Sequence, residues 1–408
     1  MFGLVFFGAA SAGAQQKTAP PPPPGFALGV AVPLSGEYAA LGNAVLGAAR
    51  VAVGEGGGRI IVRDTLGTPA GAIAAINDLA GDPAVLAVLG PVGQRESQAA
   101  ARAAHRQGMP LFSLAGDARI NVASDWVFRL NQSPGEQAAA LAEAVRDELG
   151  EARRVGIFFP ETSYGSQAAL AFAERFSALG GQVTALASYP GDTTDFRKAL
   201  DTLVGKKMQL GRAQRAGKKR ADRDGYLTIR GKAVVDFDLL FIPDFHANIA
   251  RLLAFLPGAG LQNGDGGEGV AVQLLGLSGW QGSSMRMSGA LAAGAIYSDI
   301  FAGDADGGRA QEFELLFEEK TGRLAVNLDA EVFDATLMLV QIIDAIAANA
   351  SDEDDATELR RRLLQRLPRA SGAFFGVTGA LRFDAQGGPL RPTRLYQFDV
   401  GGSVAPWR

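Results

Sequence analysis

The sequence predicts an α/β protein of two lobes, each a parallel sheet flanked by helices. Three observations predict it. Apolar runs of about six residues alternate with stretches of helical spacing from Phe26 onward. The alternation forms two successive series of similar size. And 408 residues exceed what one ordinary core accommodates.

In the first series, residues 27–34, 59–65, 85–91 and 110–115 read as strands, with helices over 39–53, 69–80 and 94–107 between them. Strands apolar along their whole length, joined by helical crossovers, imply a parallel sheet covered on both faces. The second series reads as strand 155–161, helix 164–179, strand 182–189, helix 196–204, strand 239–243, helix 247–255 and strand 272–277. Short strands then recur at 295–301, 379–383 and 395–400, with helices over 310–321, 329–347 and 356–367 between the first two. This late return to sheet-forming sequence suggests a chain that crosses between lobes more than once.

One stretch breaks the alternation. Residues 206–233 carry ten Lys or Arg and two Asp, a net of +8, which leaves the rest of the chain at −12. Such an insertion reads either as a solvated loop or as a contact for an anionic partner or envelope polymer.

At the other end, MFGLVFFGAASAGA resembles a secretory signal, with Ala12 and Ala14 in an A-x-A spacing, although it has no basic start. It is too short to span a bilayer as a helix. The proline run 20–24 reads as an extended spacer, so 1–25 is expected to precede the fold and the protein to be exported to the periplasm, peripheral to the membrane at most.

Composition narrows the chemistry. A net charge of −4 gives no argument for nucleic acid. The lack of cysteine excludes disulfides, thiolate metal sites, a Cys nucleophile and lipid attachment at Cys. His105 and His246 are the two histidines, and neither has an evident nucleophile beside it. G-x-S-x-G and H-E-x-x-H are absent, so no enzyme, metal or cofactor is expected.

The strand-to-helix junctions are the informative places, because open α/β sheets hold ligands there. In PLSGEYAALG, Gly36 relieves the turn, Ser35 offers a hydroxyl and the following helix points free N–H groups outward. GPVGQRESQ opens a second helix with Gln94 and Ser97 in its first turn and Arg95 placed to pair with an acidic ligand. In SLAGD, Asp117 either faces a ligand or closes a turn. PETSYG offers Tyr164 for stacking or hydrogen bonding, PDFH offers Asp244 and His246, and SGW offers Trp280 as a cap on a cleft. The first junction carries no G-x-G-x-x-G, and no G-x-x-x-x-G-K-[ST] appears, so neither a dinucleotide fingerprint there nor a nucleotide triphosphate site is expected.

The order of PLSGEYAALG, GPVGQRESQ, PLFSLAG, FPETSYGSQAALAFAERFSALGGQV and DTTDFRKAL, continued by FDLLFIPDF, LLGLSGW, GAIYSDIF and TGALRFD, resembles the type I periplasmic binding proteins. More narrowly, it is similar to the leucine/isoleucine/valine-binding group of ABC transporter receptors. The resemblance covers nearly all of 26–400, and FIPDF and LSGW look closer to a branch that activates penicillin-binding proteins. It implies a three-strand hinge, a first lobe from 26–131 plus 279–372, and a second from 132–278 plus 373–408. Ligand would lie between the lobes, which close on it.

By the same resemblance Tyr38 stands at a ligand-facing loop position, and Tyr164 matches a tyrosine placed over the ligand. Gln94 with Arg95, and Ala115 to Asp117, take the places where small hydroxyl residues usually hold an amino acid. That departure points away from an aliphatic amino acid. The expected function is capture of a small polar solute, an amino acid or related compound, for an ABC permease. The alternative is an envelope regulator that contacts a cell-wall synthesis protein.

Overall fold

Ala27–Val32, β1, is buried at every residue and can be so only with helices on both faces of its sheet. Its side chains divide with the two-residue period of a strand. Leu28, Val30 and Val32 enter one core cluster and Ala31 another. A computed structural model describes residues 25–120, 124–150, 153–205, 207–210, 227–230, 234–264, 269–351 and 353–407. The expected signal and most of the spacer lie outside the described residues.

The first sheet comprises β1, β2 (Ile60–Asp64), β3 (Val85–Leu89), β4 (Leu111–Ser113) and β5 (Val127–Arg129), in the order β2-β1-β3-β4-β5, all parallel. The crossover helices are α1 (Ala39–Gly56), α2 (Pro69–Gly81) and α3 (Gln94–Gln107). Helices α2 and α3 cover one face with an alanine-rich seam that includes Ala72, Ala75, Ala100 and Ala104. The other face is covered by α1 together with helices from much later in the chain. Gly42, in the first turn of α1, has no room for a Cβ, which would collide with the Pro33 carbonyl. Gly165 repeats this in the second lobe, against the Pro160 carbonyl, so both helices start hard against the ends of their strands.

The second sheet starts after α4 (Pro134–Glu148) with β6 (Arg154–Pro160), α5 (Ser163–Ala178), β7 (Gln182–Tyr189) and α6 (Arg197–Leu203). Of the basic insertion, only the backbone of an antiparallel pair, β8 (Lys207–Leu210) with β9 (Leu227–Arg230), falls within the described residues. Then come β10 (Leu239–Phe241), α7 (His246–Leu253), α8 (Leu256–Ala259), β11 (Leu261–Asn263), β12 (Val270–Gly276), α9 (Ser283–Met287) and β13 (Ile296–Asp299). The chain continues through α10 (Gly308–Thr321), α11 (Asn327–Ala347) and α12 (Ala356–Ala373) to two small hairpins. These are β14 (Phe375–Gly376) with β15 (Gly379–Ala380), and β16 (Arg382–Phe383) with β17 (Pro389–Leu390). Last are β18 (Arg394–Phe398) and β19 (Val404–Pro406). The sheet order is β19-β18-β13-β12-β10-β6-β7, with β11 also on β12; the strands from β7 to β13 run parallel, and β18 and β19 are antiparallel.

The chain therefore passes between lobes three times, after β5, after β13 and before β18. Two expected boundaries are corrected by this pairing. Residues 279–299, expected in the first lobe, end in β13, which lies between β12 and β18 in the second sheet. Residues 373–390, expected in the second lobe, pack on the first, where Val377 and Leu381 join the core cluster of β1 and α11. The expected strand 379–383 is broken at buried Leu381 into parts of two hairpins. Helix α4 and strand β5 were not expected at all. Among the described residues no helix is long and apolar enough to cross a membrane.

Candidate functional site

Four helices, α3, α4, α5 and α11, begin at one cleft of about 550 Å³ between the lobes. The first lobe contributes Leu41 of α1, Gln94 at the start of α3, Leu114 to Asp117 at the exit of β4, and Asn327, Leu328 and Glu331 of α11. The second contributes Pro134 and Gln137 of α4, Ser163, Tyr164 and Gln167 of α5, and Ser278 after β12. Each crossing adds its own residues: Asn131 and Gln132 at the first, Ser298 to Ile300 at the second, Arg391 and Thr393 at the third.

The helix starts are held by local chemistry. On α4, Ser133 Oγ accepts from Glu136 N at 3.2 Å and Glu136 Oε2 accepts from Ser133 N at 2.6 Å, a reciprocal capping box. Glu136 also accepts two hydrogen bonds from the buried Arg129 guanidinium, at 3.0 and 2.7 Å, tying the end of β5 to the start of α4 across the first crossing. Burial alone would raise the Glu136 carboxyl, but Arg129 and the Ser133 amide outweigh it and hold it below the usual value. Thr162 caps α5 by accepting from Gly165 N at 3.1 Å.

Of the residues expected from sequence, Gln94, Ala115, Asp117 and Tyr164 line the cleft. Asp117 does so as part of a closed network. Its carboxylate accepts from Gln94 and Gln98 at 2.8 and 2.7 Å and from Nε and Nη2 of Arg119 at 3.0 and 3.1 Å. Burial opposes these bonds but loses, so the carboxyl is held well below its ordinary value and stays charged. Tyr164 stacks against Phe245, ring centroids 4.8 Å apart, and its buried hydroxyl has no hydrogen-bond partner among the described residues. Burial, with Asp244 and Asp299 nearby, raises the phenol, which therefore remains a neutral donor.

The other expected residues stand elsewhere. Ser35, Gly36 and Tyr38 are exposed on the β1–α1 loop, and only Leu41, further along, reaches the cleft. Arg95 is exposed and absent from the lining, because it follows Gln94 onto the outer face of α3. Asp244 is a core residue that accepts from Tyr189 Oη at 2.7 Å and from the Phe245 amide at 2.7 Å, anchoring the turn into α7. His246 packs where a Cβ on Gly282 would strike its ring. Trp280 is fully buried and donates from Nε1 to the Ile242 carbonyl at 2.9 Å, so it fills the second-lobe core and does not cap the cleft.

Sequence reading missed the charged centre of the cleft. Arg391 and Glu331 are both buried, their nearest N···O distance is 3.7 Å, and Asp299 lies at the end of β13. Burial pushes Glu331 up to about 7, with Arg391 offsetting part of it and Asp334 adding to it. Burial likewise holds Asp299 well above the ordinary aspartate range, although Ile300 N and Asn327 Nδ2 donate to it at 2.7 and 3.3 Å. The Asp299 Oδ2 atom and the Nε and Nη2 atoms of Arg391 are buried without a hydrogen-bond partner among the described residues. Such groups are costly to leave unpaired, and those of Asp299 and Arg391 gather at this one cleft.

A family described as periplasmic binding protein has a sequence model that matches residues 26–403. Among solved structures, an ABC transporter substrate-binding protein from Sphaerobacter thermophilus shares 20% identity at a TM-score of 0.72, covering 93% of this chain and 96% of its own. A branched-chain amino acid transporter substrate binding protein from Streptococcus pneumoniae, in complex with isoleucine, shares 20% identity at a TM-score of 0.64, with coverage of 94% and 99%. A solute binding protein of an ABC transporter from R. palustris, in complex with benzoate, shares 17% identity at a TM-score of 0.65, with coverage of 94% and 95%. At these identities the likeness shows the shared fold. No curated protein matches the sequence.

Proposed function

The chain belongs to the periplasmic binding protein family, and on that premise we propose that it captures a small polar solute between its lobes and presents it to an ABC permease outside the cytoplasm. The supporting observation is the convergence of polar side chains from both lobes and all three crossings on one cleft of about 550 Å³. That volume suits a solute of amino-acid to aromatic-acid size. A guest touching both walls binds the closed arrangement better than the open one, so closure reports occupancy to a partner.

The test is a thermal-shift and calorimetry panel of amino acids, aromatic acids, their amides and small sugars. At least one member is expected to raise Tm and release heat with one-site stoichiometry. Flat traces across the whole panel would remove the reading.

A further inference from the structure

We infer that the cleft selects a solute bearing a carboxylate, which lies along the free edge of Arg391 and enters together with a proton taken up by Glu331. The inference deepens the solute-binding reading and rests on it.

Arg391 sits on the third crossing with its side chain only 1% exposed. Its Nη1 donates to Thr378 Oγ1 at 2.7 Å, and that hydroxyl donates in turn to Asp334 Oδ2 at 2.6 Å. Asp334 is fixed by the amides of Val377 and Thr378, both at 2.8 Å. The far side of the guanidinium is thus pinned and its orientation set. The near side, Nε with Nη2, is the pair of donors that meets a carboxylate with two parallel hydrogen bonds, and neither atom has an acceptor among the described residues. The 3.7 Å separation from Glu331 is ion-pair distance but too long for a hydrogen bond. Glu331 therefore balances the charge without filling the donor edge.

A carboxylate arriving on that edge brings a second negative charge to one buried cation. The charged neighbours of Glu331 are Arg391 on the third crossing, Asp334 on α11 itself and Asp299 at the end of β13. At the exit of β4, Asp117 is already paired with Arg119. Helices α1, α3, α4 and α5 line the cleft with uncharged side chains, including Leu41, Gln94, Gln137 and Tyr164. No further cation lines the cleft among the described residues, so like charge is relieved by protonating Glu331. Its elevated free value of about 7 makes that proton cheap to acquire near neutrality. With the solute bound the value rises further. Affinity is then level below about pH 7 and falls by up to about tenfold per pH unit above it.

The test uses the full chain with L-leucine, L-glutamate, benzoate and 4-hydroxybenzoate, each against its amide, and calorimetry in buffers of different ionisation enthalpy. A carboxylate is expected to bind and its amide to bind at least tenfold more weakly. Uptake should approach one proton at about pH 8 and fall towards none at about pH 6. Glu331→Gln should remove the pH dependence and bind at about pH 8 as the wild type does at about pH 6. Arg391→Gln should abolish carboxylate binding; where that variant does not fold, the proton count and Glu331→Gln decide. A carboxylate bound without proton uptake, or binding of amides and sugars alone, overturns the inference while leaving solute capture standing. No binding by any probe or by the wider panel overturns both.

Discussion

Glu331 shows what one buried carboxyl does to the stability of its own fold. Its value is raised from 4.5 to about 7, so between those limits the folded chain holds a proton that the unfolded chain has lost. Stability is fully present below 4.5 and declines as pH rises through about 7, by roughly 3 kcal/mol for this group taken alone. Glu331→Gln is therefore expected to unfold later in urea than wild type at about pH 8, with the two converging at about pH 4. The opposite order would show that Arg391 stabilises the charged form more than burial opposes it. Trp280 makes the complementary case of a residue whose role is packing. Trp280→Ala is expected to cost roughly 3–5 kcal/mol in denaturant unfolding, because it empties a core site and removes one of the two hydrogen bonds accepted by the Ile242 carbonyl, the other coming from Asp244 N.

Helix α4 and the strand before it are joined by more than chain. The Ser133–Glu136 capping box and the bidentate Arg129–Glu136 pair share one carboxylate, so the first crossing is stiffened at both ends by a single side chain. Glu136→Ala removes the return half of the capping box and two hydrogen bonds to a buried guanidinium, an expected loss of about 2–4 kcal/mol. Hydrogen exchange should show it first in the amides at the start of α4. Since the Glu136 carboxyl is held below its ordinary value, this contribution is present above that value and is lost as pH falls through the lower, folded one. A Glu136→Gln variant that kept full protection would mean the helix start is set by packing alone.

At the scale of the molecule, the two large sheets among the described residues are linked by three crossings, and each crossing lines the cleft. Motion about these links would change the cleft while leaving both cores intact, and this is the mechanical basis of the closure proposed above. Saturating a bound solute should lower the radius of gyration in X-ray scattering and raise unfolding free energy by about 2.7 kcal/mol at a hundredfold excess over Kd. Stabilisation without contraction would mean that binding occurs in an already closed arrangement.

The α/β class, the two series and the cleft-facing places of Gln94, Ala115, Asp117 and Tyr164 were legible because they depend on neighbours in the chain. An apolar run such as Val85–Leu89 carries its own burial signal, and a residue at a strand-to-helix junction inherits the cleft from the fold class. Even α4, which was missed, carries a local mark in Ser133 and Glu136 at capping-box spacing. Arg391, Glu331 and Asp299 carry no such mark. They lie on a loop between short strands, within an apolar helix and at a strand end, and come together only where separate crossings converge. Trp280 and Asp244 misled for the converse reason, since a junction residue can turn inward to the core as easily as outward to the cleft. Local pattern alone determined which segments become sheet and helix, because burial period is written in successive residues. Which polar groups share the seam was decided by the tertiary structure, because charge and desolvation act through space between residues remote in the chain.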